Sequence, residues 1–197
     1  MRLILTRHGE TIENKMGIVQ GHLPGKLSKL GKEQAKKLAK RLKNEKIDFI
    51  YSSDLARAAD TANEIAKFHP SIPVEFVEDL RERYLGSFQG TKTNEIPDDK
   101  IHLLESTERH EDIETNVELY QRINKFFNFV LNKHPNNNVL FVGHSGAGKA
   151  LVCSIMNKSP NDIKTIENLS NTSVTIYEID KDKNCKTFLF NCTKHLD

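Results

Sequence analysis

Arg7 and His8 stand side by side directly after the apolar run Leu3-Ile4-Leu5. A neutral imidazole is a nucleophile ready at neutral pH, and a guanidinium beside it can hold phosphoryl oxygens in a planar fork. Three further segments add groups of the same kind. Ser53-Asp54-Leu55-Ala56-Arg57 supplies a second guanidinium, Leu80-Arg81-Glu82-Arg83 a carboxyl group, and Gly143-His144-Ser145-Gly146 a second imidazole. A phosphomonoester dianion needs its charge neutralised, a nucleophile at phosphorus and a proton for the leaving oxygen. Arg7 with Arg57, then His8, then Glu82 can meet those needs, and general acid catalysis is worth about 10²–10⁴-fold. Glu82 could then take the proton of the water that cleaves the phosphohistidine. Taken singly, His144 reads as a structural histidine in a turn, Glu82 as a solvated charge and Arg57 as a helix-surface charge. A shared location is what would give them a shared role.

The elements that could supply that location alternate along the chain. Short apolar runs predict strands at residues 3–6, 48–51, 74–77 and 139–142. Helical periodicity predicts a helix capped by Ser28 and reaching residue 44, with Ala35, Leu38, Ala39 and Leu42 on one face. Further helices are expected at 54–68, 117–131 and 146–156. Two late strands, 173–179 and 187–190, are expected to pair antiparallel through a turn at 182–184. This order predicts an α/β fold: a three-layer α/β/α sandwich with a mostly parallel central sheet and a late antiparallel strand. All four chemical segments then follow a strand or open a helix, at the sheet edge where α/β folds bind ligands. Residues 86–115 are polar and irregular. They are expected to run over the active face as an excursion from a single domain spanning 1–197, with room for one short helix.

Composition narrows the class. With 37% hydrophobic and 28% charged residues the chain fits a soluble globular protein. A net charge of +2, with lysines spread along helical faces, speaks against a nucleic-acid arm or a polybasic membrane segment. No apolar run approaches the ~18 residues of a membrane span. The first apolar stretch ends at Arg7, too short for a signal peptide. Cys153, Cys185 and Cys192 show no paired spacing, so neither a disulfide framework nor a zinc site is expected, and a reduced cytoplasm is the expected location. No carboxylate cluster suggests Mg²⁺, and no metal or cofactor is expected. His69, His102, His110, His134 and His195 have no chemical context and are expected at the surface. Gly143 to Lys149 matches the phosphate-loop string GxxxxGK, but Ala150 stands where a metal-binding hydroxyl is needed. The small residues there suit a helix N-terminus packed near a bound phosphate.

Arg7-His8-Gly9-Glu10-Thr11, with Asn14 and Gln20-Gly21-His22, resembles the signature of the histidine phosphatase superfamily. That family includes phosphoglycerate mutases, fructose-2,6-bisphosphatases and small broad-specificity phosphatases. The resemblance continues through Leu27-Ser28 to Gln34-Ala35, Ser52 to Ala62, Leu80 to Gly90, and Val142 to Gly146. It implies a phosphoglycerate mutase-like fold and hydrolysis of a small phosphorylated substrate through a phosphohistidine. His8 would be the phospho-acceptor and Glu82 the acid/base, while Arg7, Arg57 and His144 would bind the phosphoryl group. Asn14, Gln20, Gly21, Thr11 and Ser145 would contact phosphate or substrate. Pro24-Gly25-Lys26 departs from the Asp-Ser-Pro-like stretch of many small members, and Phe88 stands where Trp is common. Two other functions remain open: a mutase-type phosphotransferase and a non-catalytic phosphate-binding module. Against the first, Glu82-Arg83-Tyr84-Leu85-Gly86 differs from the mutase wording Glu-Arg-His-Tyr-Gly, and no Arg-Arg pair follows it. Against the second, both nucleophile and acid are present. Lys26, Arg81 and Arg83 are expected to be solvated or ion-paired, and nothing in the sequence sets the oligomeric state.

Overall fold

The structure is a computed structural model describing residues 1–106 and 112–197. His110 lies outside the described residues. Among the described residues six strands form one sheet in the order β3-β2-β4-β1-β5-β6. They are β1 (Arg2–Arg7), β2 (Phe49–Ser53), β3 (Val74–Val77), β4 (Asn138–Gly143), β5 (Val174–Ile179) and β6 (Cys185–Cys192). The first four pair in parallel, β5 runs antiparallel to β1, and β6 runs antiparallel to β5.

The described residues form five α-helices, α1 (Ile12–Met16), α2 (Lys29–Leu42), α3 (Ala56–Ala66), α4 (Asn116–Lys133) and α5 (Ser145–Ile155), of which α2 to α5 cover the sheet. Strand side chains alternate between faces. Leu3, Leu5, Val139 and Phe141 therefore pack with α4 and α5. Ile4, Leu140 and Val142 pack with α2 and α3 on the other side. Both faces being covered explains why the central strands read as unbroken apolar runs. Among the described residues no helix is long and apolar enough to cross a membrane.

The helix termini follow local rules. Ser28 caps α2 by accepting from the Gly31 amide at 3.0 Å, a contact whose loss costs about 1 kcal/mol. Thr115 and Glu118 close a reciprocal capping box on α4. The α2 start also grips the loop after β1. The Ser28 amide donates to the Glu10 carbonyl at 2.9 Å, and Ser28 Oγ donates to Glu10 Oε1 at 2.6 Å. Gly9 and Gly31 permit this approach: a methyl group on Gly31 would run into the Glu10 carbonyl.

Several elements differ from the sequence expectation. Helix α1 was not foreseen, because its five residues bury no side chain and so leave no periodic apolar stripe. The 86–106 stretch holds three segments of 3₁₀ helix where one short helix was expected. His69 and His134 are buried, not at the surface. His134 stacks on Phe49 and shares a 2.9 Å hydrogen bond with the Tyr51 hydroxyl, and His69 Nε2 lies 3.2 Å from the Leu42 carbonyl.

Candidate active site

Register builds the site. Arg7 of β1 is level with Gly143 of β4, and Ser52 of β2 is level with Val142. Three parallel strands therefore end together, and His8, Ser53 and His144 emerge side by side. The His8 amide donates to the Gly143 carbonyl at 3.0 Å, which extends the ladder into the site.

His8 is buried, with its Nδ1 2.7 Å from the Gly9 carbonyl. A carbonyl can only accept, so Nδ1 carries the proton and the lone pair lies on Nε2. Arg57 Nε donates to that Nε2 at 3.2 Å. Burial, then the charges of Arg57 and Arg7, hold the His8 pKa well below its ordinary value. The ring is therefore neutral and nucleophilic at physiological pH. The Gly9 amide donates to Thr61 Oγ1 at 3.1 Å, and Asn171 Nδ2 donates to the His8 carbonyl at 2.9 Å.

Arg57 sits in the first turn of α3 and is almost fully buried. Its Nη2 donates to the Gly21 carbonyl at 2.8 Å and its Nη1 to the Pro24 carbonyl at 3.3 Å. Burial lowers its pKa to about 10, which leaves it charged near neutrality. Arg7 Nη1 donates to the Leu169 carbonyl at 2.7 Å. Arg7 Nε, His144 Nδ1 and Ser145 Oγ are buried with no hydrogen-bond partner among the described residues. Polar atoms left this way are costly unless a ligand completes them. His144 lies beside His8, ring centroids 5.2 Å apart, with its Nε2 2.9 Å from Ser53 Oγ. Burial and the neighbouring Arg57 hold it neutral as well.

Glu82 lies across the start of α5. Its carboxylate accepts from the Gly146 and Ala147 amides, each at 3.0 Å, and from the Arg83 amide at 2.9 Å. A helix N-terminus suits an anion there. Its backbone is fixed too: His22 Nε2 is 2.8 Å from the Glu82 carbonyl. Arg122 donates to the carbonyls of Asp79 at 2.7 Å, Arg81 at 3.0 Å and Glu82 at 3.3 Å, and pairs with Glu114.

These groups face a cavity of about 270 Å³. Arg7, His8, Arg57, Glu82 and Ser145 line it, as do Asn14, Gln20 and Gly21. Two expected site residues are not part of this lining: His144, buried beside His8, and Thr11, the buried N-cap of α1. Thr11 Oγ1 accepts from the Asn14 amide at 2.9 Å and donates to Gln20 Oε1 at 3.1 Å, so it arranges two lining residues. Asn14 Oδ1 accepts from the Thr11 amide, which makes Nδ2 the donor it can offer a ligand. Arg81 is ion-paired, to Asp54. Arg83 instead is buried, lines the cavity and donates to the carbonyls of Leu103 at 3.1 Å and Ser106 at 3.2 Å. Sequence reasoning quoted Ser53, Thr61 and Lys149 within longer stretches without giving them a role, and passed over Arg122 and Asn171. Only Ser53 carried a usable signal, since it closes a strand at the active edge. Among the described residues no three His, Cys, Asp or Glu side chains group as metal ligands.

A sequence model of the histidine phosphatase superfamily, branch 1, matches residues 3–192. The chain belongs to the histidine phosphatase superfamily. Phosphoglycerate mutase-like protein 4 of Arabidopsis thaliana is 33% identical over 190 residues, 92% of this chain and 81% of its own length. A metal-independent phosphoserine phosphatase of the same plant is 35% identical over 167 residues, 80% of this chain and 69% of its own. A mycobacterial glucosyl-3-phosphoglycerate phosphatase, solved in complex with VO3, matches with a TM-score of 0.89 at 26% identity. That match covers 98% of this chain and 99% of the other. Membership in this phosphatase family agrees with a mixed sheet whose parallel edge gathers two imidazoles and two guanidiniums.

Proposed function

We propose that this histidine phosphatase hydrolyses small phosphomonoesters through a phosphohistidine on His8 Nε2. The observation that carries the reading is the His8 tautomer: Nδ1 is tied to the Gly9 carbonyl, so the free lone pair is on the nitrogen beside Arg57. Incoming phosphoryl oxygens take the Arg57 Nε–H, the Arg7 Nε–H and the Ser145 hydroxyl. A phosphoryl oxygen at His144 Nδ1 requires the proton there, with the Ser53 hydroxyl donating to Nε2. His8 Nε2 then attacks phosphorus as the bond to the ester oxygen breaks. Glu82, in its acid form, gives that oxygen its proton and the alcohol leaves. Glu82, now a carboxylate, takes a proton from water as the water attacks the phosphohistidine. Inorganic phosphate departs and His8 is restored. The reading treats residues 1–197 as one domain, supported by a sheet that takes strands from both ends of the chain.

The test is phosphate release from a panel of phosphomonoesters in excess EDTA, wild type beside His8→Ala. Metal-independent release that disappears in the variant supports the reading. Release that survives in His8→Ala, or that EDTA abolishes, sinks it.

A further inference from the structure

Helix α1 buries no side chain, yet one of its faces is apolar. Ile12, Lys15 and Met16 share that face by helical spacing, while Asn14 lies on the opposite side and lines the catalytic cavity. The apolar face borders a second groove, of about 610 Å³, which shares no lining residue with the catalytic cavity. The other wall of this groove is the stretch that leads into α2. The Ile12 amide donates to the Lys26 carbonyl at 2.9 Å, which joins the two walls. Ile12, Met16 and the buried Leu27 give the groove its apolar lining, and Ile12 and Met16 remain 42% and 53% exposed.

Four lysines complete the lining: Lys15, Lys26, Lys29 and Lys32. Spread along the sequence, they gather only in the fold. All four are exposed, and none has an ion-pair partner among the described residues. The nearest carboxylates in sequence are engaged elsewhere. Glu10 accepts from Ser28 Oγ at 2.6 Å, Glu13 accepts from the Lys26 amide at 3.1 Å, and Glu33 lies 3.8 Å from Lys36. Lys29 and Lys32 moreover occupy the first turn of α2, which holds no acidic residue. A helix N-terminus favours anions, so two cations there work against the macrodipole. Local stability does not explain their placement, whereas attraction for a negative partner does.

An apolar groove among four cations calls for carboxylates set around an apolar side chain. A bilayer surface would meet the lysines before Leu27, which is 4% exposed and accessible only to a group that enters the groove. The lining holds no aromatic ring and no arginine, the groups that stack and grip single-stranded nucleic acid. We infer that this groove is a docking site for an acidic segment of a partner protein, with one apolar side chain as its anchor. The docked segment leaves the catalytic cavity open.

Selection from a phage-displayed library of random peptides tests it, followed by fluorescence anisotropy with the enriched sequences. Enriched peptides should carry Asp or Glu on both sides of a Leu, Ile or Met, and their binding should weaken as salt rises. The double variant Lys29→Glu/Lys32→Glu should weaken binding about 100-fold, since two attractions become repulsions. Acidic residues suit the first turn of α2, so this variant should keep or raise its melting temperature, and lost binding will not report lost folding. Met16→Ser should cost about tenfold through the apolar anchor. Vanadate should leave peptide binding unchanged. No enrichment, enrichment of neutral or basic peptides, or unchanged affinity in either variant overturns the inference. Displacement by vanadate overturns it too, since the peptide would then sit in the catalytic cavity. So does binding to phosphatidylglycerol vesicles, lost in the double variant, when no peptide binds, because the groove would then face a membrane.

Discussion

The phosphate end of the cavity is built on residues leaving the sheet, whereas other parts of its lining come from segments that never enter it. His8 and His144 follow the last residues of β1 and β4, Ser53 is the last residue of β2 and bonds His144, and pairing holds those strand ends level. Leu85, Ile163 and Asn168 come from connections held by scattered side-chain contacts. A sheet edge has a fixed geometry, so chemistry placed there is the same for every substrate. Connections change length and composition at low cost, so discrimination among substrates belongs to them.

Substitutions on the phosphate side should therefore lower activity toward all esters alike. His8→Ala has the largest expected effect, a loss of about 10⁵-fold in kcat, as when a nucleophile is removed. Vanadate binding should survive, because the guanidiniums remain, and loss of that binding would mean His8 organises the site. Arg57→Ala should cost about 10³-fold in kcat/KM across the panel, on the scale of removing preorganised donors from a developing charge. A ranking of substrates that changes in Arg57→Ala would break the division between the two walls. Glu82→Gln should slow esters of poor leaving groups about 10²-fold and aryl esters far less. Equal slowing of both would remove Glu82 from the acid role.

Smaller effects sharpen the picture. Arg122 does not line the cavity but clasps the carbonyls of residues 79, 81 and 82, so Arg122→Ala should cost about tenfold in kcat through misplacement of Glu82. Arg122→Lys should recover part of that loss, and an unchanged KM would separate positioning from binding. The smallest effect is on stability. His8 and His144 are neutral when folded, with lowered pKa values, and ordinary when unfolded. Below about pH 6.5 the unfolded chain takes up protons the folded chain refuses, so stability falls with pH, by roughly 1 kcal/mol or more between pH 7 and 5. Urea midpoints across that range should fall less steeply for His8→Asn.

The same division governs what the sequence reveals. The strand ends were readable because an apolar run followed by Arg7-His8 or Gly143-His144 states both the element and its exit. The stripe Ala35, Leu38, Ala39 and Leu42 fixed α2, and all four are buried as expected. By contrast, nothing local marks Arg122 as a clasp, since the carbonyls it holds lie some forty residues away. His134 looked exposed because its partners, Phe49 and Tyr51, belong to a distant strand. Thr11 was legible as a site residue, yet it caps α1 and orders Asn14 and Gln20 instead of facing the cavity. Lys149 was legible only as part of a misleading string, since its place depends on where α5 begins relative to the sheet.

The glycine contact between the His8 loop and α2 has a consequence for anyone who searches this protein by random mutagenesis. A screen for dead variants will return Gly31, a residue that touches neither substrate nor any catalytic side chain. The collision of its added methyl with the Glu10 carbonyl displaces the loop that carries the nucleophile. Sorted by lost activity, the helix start will look like part of the catalytic machinery, and only the structure explains why.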